Sequence, residues 1–140
     1  RETTGATGTF TPTLTGSTTA GTITYDNQTG RWTRLGNIAI CRIHINTNTV
    51  TATPTGNLQI GGLPFTAANI TTAAGPAAVA DYSNINLTAG FTQLGVRADA
   101  NAITALFVQS SDGVNAQVVP GTALVGNDIE VVLTLIYEVA

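Results

Sequence analysis

Two strand-like runs meet at Gly36-Asn37, and that dipeptide constrains this chain more than any other pair of residues in it. Gly accepts positive φ and Asn tolerates it, so the pair predicts a two-residue hairpin turn. The arm before it is Arg31-Trp32-Thr33-Arg34-Leu35, and the arm after it is the β-branched run Ile38–Ile45. The longer stretch Tyr25–Ile45 also carries three of the five arginines and the only Trp, Cys and His. Fold and chemistry are therefore read outward from one hairpin.

Period-two alternation continues beyond it. Along Asn37–Thr53 both faces are apolar at first and mostly polar later, with Thr47, Thr49, Thr51 and Thr53 on the odd positions. The strand is expected to leave the core and bend near Asn46. In Asp128–Val139 every odd residue from Ile129 to Val139 is apolar, while the even face is polar except at Val132 and Ile136. One face belongs to a core and the other points to a contact outside it.

Between these anchors, Thr9–Leu14 reads as an edge strand because Pro12 lacks an N–H. Thr22–Tyr25 reads as a strand and Asp26–Gly30 as a turn with Gly30 at positive φ. Asn57–Ile60, Ala77–Tyr82, Phe91–Arg97 and Ala102–Gln109 are further strands, and Thr66–Pro76 is a loop. About eight to ten short strands predict an all-β, antiparallel β-sandwich of jelly-roll-like form. Residues 1–8 are expected to be a flexible lead-in from a longer chain, and 9–140 one domain.

Composition agrees and narrows the function. Hydrophobic residues make up 43% and charged residues 9%, with Thr supplying most of the polarity. Thr is β-branched and suits a half-buried pleated surface. The net charge is −3 and there is no Lys, so the chain lacks the cationic footprint that nucleic acid requires. Without Lys to protect strand edges, coverage by neighbouring subunits is one way to manage them. The longest apolar region, Ile129–Val139, falls short of a membrane span, and no membrane insertion is expected.

The rare residues do not assemble into a reactive centre on paper. Cys41 and His44 are three apart on one strand, so they point to opposite faces. One Cys and one His without ligand spacing do not make a zinc site. Asp81, Asp99, Asp112 and Asp128 fall in or near turns, where aspartates ordinarily do turn work. No catalytic residue, metal or cofactor is assigned. Sugar binding is the chemistry the residue types suit best: Trp32, Tyr25 and Tyr82 to stack on rings, with Arg31, Arg34 and Asn27 to meet hydroxyls. Trp32 and Arg34 share one face of their strand, and Arg31 and Thr33 the other.

Three motifs in order carry a family resemblance. They are Gly8-Thr9-Phe10-Thr11-Pro12-Thr13-Leu14, then Tyr25 with Gln28-Thr29-Gly30-Arg31-Trp32-Thr33-Arg34-Leu35-Gly36-Asn37, then Gly61-Gly62-Leu63-Pro64-Phe65. This pattern resembles the C-terminal β-sandwich modules of bacteriophage tail fibres and tailspikes. The resemblance covers the first half of the chain and rests on strand spacing beyond Phe65. It implies a homotrimeric module exposed on the virion tail, working with other phage tail proteins and contacting bacterial surface polysaccharide. Such a module is not itself an enzyme, since depolymerase activity usually lies in a separate β-helix. The expected ligand residues are Trp32, Arg34, Tyr25, Asn27 and Tyr82, and the expected subunit contacts are Val132, Ile136, Thr47 and Thr49. The rival readings are a purely structural virion decoration and, less favoured, a small polysaccharide-degrading enzyme.

Overall fold

In the computed structural model, residues 5–70 and 75–140 form two antiparallel sheets packed face to face. The strands are β1 Ala6–Phe10, β2 Thr13–Gly16, β3 Thr22–Leu35, β4 Ile38–Ala52, β5 Leu58–Gly61, β6 Ala77–Ser83, β7 Gln93–Ala98, β8 Ala105–Ser111, β9 Val114–Val118 and β10 Glu130–Glu138. The first sheet runs β1-β3-β4-β10-β6 and the second β2-β5-β8-β7, with β9 also paired to β8. The expected all-β sandwich is what forms. Its last strand inserts between β4 and β6, so sheet order and chain order differ as in jelly-roll folds.

The Gly36-Asn37 turn sits where the sequence puts it. Gly36 has φ +61, which a II′ hairpin turn requires at its first central residue. A two-residue loop then fixes the register, pairing Leu35 with Ile38 and Trp32 with Cys41, and onward to Asn27 with Asn46. The odd residues of β4 and of β10 turn inward, and Ile43, Ile45, Val131, Leu133 and Leu135 meet Leu58, Ile60, Val96 and Phe107 from the second sheet. Burying side chains of this size contributes roughly 1.5–3 kcal/mol each, which makes the inner face the main source of stability.

Several local expectations are overturned. Thr9–Leu14 is not one edge strand: the chain breaks at Thr11-Pro12, so β1 joins the first sheet and β2 the second. Ala6–Gly8, expected to be loose, pair with Arg34, Thr33 and Trp32, and the rest of that lead-in, residues 1–4, lies outside the described residues. Asp26–Gly30 is no turn, because β3 runs unbroken from Thr22 to Leu35. The turn residues are absorbed as register shifts around Tyr25 and Asn27, opposite Asn46 and Thr47, where a bend was expected. Gly30 does not need positive φ; Phe10 packs over it, and a Cβ there would lie 2.7 Å from the ring. Of the Thr66–Pro76 loop, residues 71–74 lie outside the described residues.

Two tyrosines fasten the sandwich in the same way. The Tyr25 hydroxyl accepts from Leu14 N–H at 2.9 Å and donates to Leu14 C=O at 3.4 Å. The Tyr137 hydroxyl accepts from Phe65 N–H at 3.3 Å and donates to Phe65 C=O at 3.0 Å. Each brackets both polar groups of one residue outside its own sheet. Burial raises the pKa of both phenols, so each stays protonated as this double role requires.

Candidate functional site

The β3–β4 hairpin has two faces of different character. On the inner face Trp32 is half-buried against the core, and its ring meets Phe65 edge-on at 4.8 Å with an interplanar angle of 81°. Arg34 lies over the other aromatic, 4.9 Å from the Phe65 centroid, and donates to Gly36 C=O at 2.8 Å. Gly8 faces Trp32 across the β1–β3 ladder, so close that a Cβ would lie 2.6 Å from the indole. The reciprocal pair, Phe10 over Gly30, repeats the device two residues along, an aromatic covering a strand glycine each time. The indole and the Arg34 guanidinium, both half-buried, therefore already have partners within the chain.

The remaining sequence candidates do not join them. Tyr25 has its hydroxyl committed to Leu14. Asn27 accepts from the Thr29 hydroxyl at 2.7 Å on the exposed side of β3. Tyr82, 38% exposed, lies on β6, three strand spacings from β3, or about 14 Å in the hydrogen-bonding direction. Trp32 and Arg34 come together around Phe65; Tyr25, Asn27 and Tyr82 stand apart from that cluster and from each other.

Thr47 is a correction as a subunit-contact residue. It is fully buried, its hydroxyl donating to Asn127 C=O and accepting from Ile129 N–H at 2.9 Å, so it anchors the lead into β10 and offers a neighbour nothing. Thr49 is half-buried, with its hydroxyl donating to the Asn48 side chain at 3.0 Å. Val132 and Ile136 do face outward, Ile136 at 43% exposure opposite Ile40 and diagonal to the exposed Ile38.

The outer face of this sheet holds what the sequence reading did not assemble. Arg31 and Arg42 are directly opposite each other on β3 and β4, both exposed. Like charges so placed are destabilising in a sheet. Neither forms an ion pair among the described residues, where the only such contact is His44 Nε2 to Glu130 Oε2 at 3.3 Å. Beside them is an open hollow of about 280 Å3 across β3, β4, β10 and β6. Its floor is made by short side chains, Ala78, Ala80, Val132 and Thr134; its walls are Arg31, Arg42 and His44, with Thr29 on the rim. An extra residue in β6 at Ala80, where the β6–β10 register shifts between Val132 and Leu133, helps shape the floor. The signal for this pairing was in the sequence. A two-residue turn at 36–37 places 31 opposite 42, and both lie on the strand face away from Trp32.

Cys41 is fully buried under this face, and desolvation pushes its thiol up to about 11, so it remains an unreactive neutral side chain near pH 7. Among the described residues no group of three or more His, Cys, Asp or Glu is placed to hold a metal ion.

No protein-family model matches the sequence, and no curated protein matches it. The crystal structure of the Dettilon tailspike protein is similar in fold, with a TM-score of 0.71 and 20% identity. The superposition takes in 96% of this chain and 24% of that one, so this chain spans about a quarter of the tailspike's length.

Proposed function

We propose that this chain is a receptor-binding-type module of a bacteriophage tail, which assembles as a homotrimer and contacts host cell-surface polysaccharide. It stands in the virion tail beside other tail proteins and faces the medium. The observation that carries this reading is the fold shared with a tailspike over nearly the whole chain, which agrees with the three sequence motifs of the hairpin region. The reading assigns the domain no catalytic step.

Two parts of one face divide the two tasks. Ile38 and Ile136, exposed at the hairpin end of the outer face, are the surface given to neighbouring subunits. Val132, expected there with Ile136, floors the hollow instead, and the hollow is the surface given to glycan. Light scattering on the purified chain tests the assembly: a trimer is expected, converted to smaller species by Ile136→Asp. A wild-type monomer at micromolar concentration removes that half of the reading. Binding of the chain to intact host cells tests the rest and separates it from a purely structural decoration, which would leave the cells unlabelled.

A further inference from the structure

From the outer face of the first sheet we infer that the hollow beside Arg31 and Arg42 takes an acidic sugar, with its carboxylate held between the two guanidinium groups. This rests on the glycan-recognition reading above and names the class of glycan. Two arginines in cross-strand register repel each other in the free domain, and among the described residues no ion pair offsets it. A bound carboxylate does offset it. Guanidinium forks match a carboxylate in shape and form charge-assisted hydrogen bonds, which are stronger than neutral ones.

The chemistry around the pair suits a sugar more than a bare anion. Val132, Ala78 and Ala80 give a largely apolar floor for the C–H face of a ring, while Thr134 on that floor and Thr29 on the rim add hydroxyls. The volume, about 280 Å3, lies just under the roughly 300–1,000 Å3 of small-molecule sites, which fits a short stretch of a polymer rather than a long one. Among the described residues, neither Glu130 nor Asp81 forms an ion pair with the arginines. Glu130 is held by His44 at 3.3 Å and Asn46 at 3.4 Å, and Asp81 is in register with Val132 on the far strand. In a chain of net charge −3 with few charged residues, the pair makes a local cationic spot. Arg34 provides the contrast, since its guanidinium is spent on Phe65 and Gly36.

The test is a binding panel on the whole chain by biolayer interferometry. It uses uronate-bearing and pyruvylated bacterial polysaccharides, the same polymers after carboxyl reduction, dextran, dextran sulfate and a phosphodiester-linked teichoic acid. Retention of at least one carboxylate-bearing polymer is expected, lost on carboxyl reduction and weakened as salt rises. Arg31→Gln and Arg42→Gln should each weaken it at least tenfold, with the unfolding temperature unchanged or raised. Equal retention of the carboxyl-reduced polymer or of dextran overturns the acidic-sugar inference while leaving glycan recognition standing. Retention confined to the sulfated or phosphorylated polymers overturns the carboxylate assignment. Binding indifferent to both substitutions, or substitutions that change oligomeric state without changing binding, overturns the site. Retention of no polymer of any kind removes the glycan reading itself.

Discussion

The two faces of the β3–β4 hairpin come from the same residues read alternately, yet they have been put to opposite uses. The inner face is closed: Trp32 covers Gly8 and meets Phe65, and Arg34 is paired with ring and carbonyl. The outer face is open, with Arg31 and Arg42 side by side and the short residues of β6 and β10 leaving a hollow beneath them. A residue's chemistry is thus a poor guide to its role until its face is known. Trp32 has the better side chain for stacking on a sugar, but it is half-buried and packed edge-on against Phe65.

If the faces differ in this way, substitutions on them should separate by size. Leu135→Ala, inward on β10 and fully buried, should lower stability by about 2–5 kcal/mol through lost burial and the cavity left behind. Urea unfolding measures it, and a loss under 1 kcal/mol would mean the inner face is not the main support. Tyr137→Phe comes next, at about 1–3 kcal/mol, because Phe65 N–H and C=O both lose their partner. The same substitution at Tyr25, half-exposed, should cost less.

Alkaline unfolding sharpens the comparison without mutation. The Cys41 thiol is raised in the folded state, so the folded protein holds a proton that the unfolded chain releases. Its contribution is complete below the thiol's ordinary value of 9.0 and is lost as pH rises toward about 11, and the raised Tyr137 phenol extends the loss to higher pH. Urea midpoints at pH 8, 10 and 11 should fall in that order, and Cys41→Ala should delay the onset. The smallest effect belongs to the outer face. Arg42→Gln should leave stability within roughly 0.5 kcal/mol and on the stabilising side, by removing a like-charge pair. That gain should shrink at high salt. A clear destabilisation would show that Arg42 supports the fold and would merge the two faces into one.

Tertiary context also redirected polar residues whose fate alternation does not reveal. Gln109 is buried, yet its side chain is satisfied by Thr88 N–H and hydroxyl at 2.9 Å each and by Val118 C=O at 3.3 Å, tying the segment before β7 to β8 and β9. Thr47 looked like the start of a polar surface and became a buried anchor for the approach to β10. In both cases the partner is 9 to 82 residues away in sequence, beyond any local pattern.

The sequence by itself determined the hairpin, its register and the inward residues of β4 and β10, because a two-residue Gly-Asn turn and a period of two are local properties of the chain. It therefore contained the opposition of Arg31 and Arg42 as well. Only the tertiary structure decided that Asp26–Gly30 continues a strand, that β1 and β2 part to different sheets, and that Trp32 packs half-buried against the core while Arg31 and Arg42 stay exposed. Those outcomes depend on which strand lies alongside, and on how large the side chains are on strands far away in the chain. The hollow exists because β6 and β10 bring Ala78, Ala80 and Thr134 next to Arg42, an adjacency that chain order does not state.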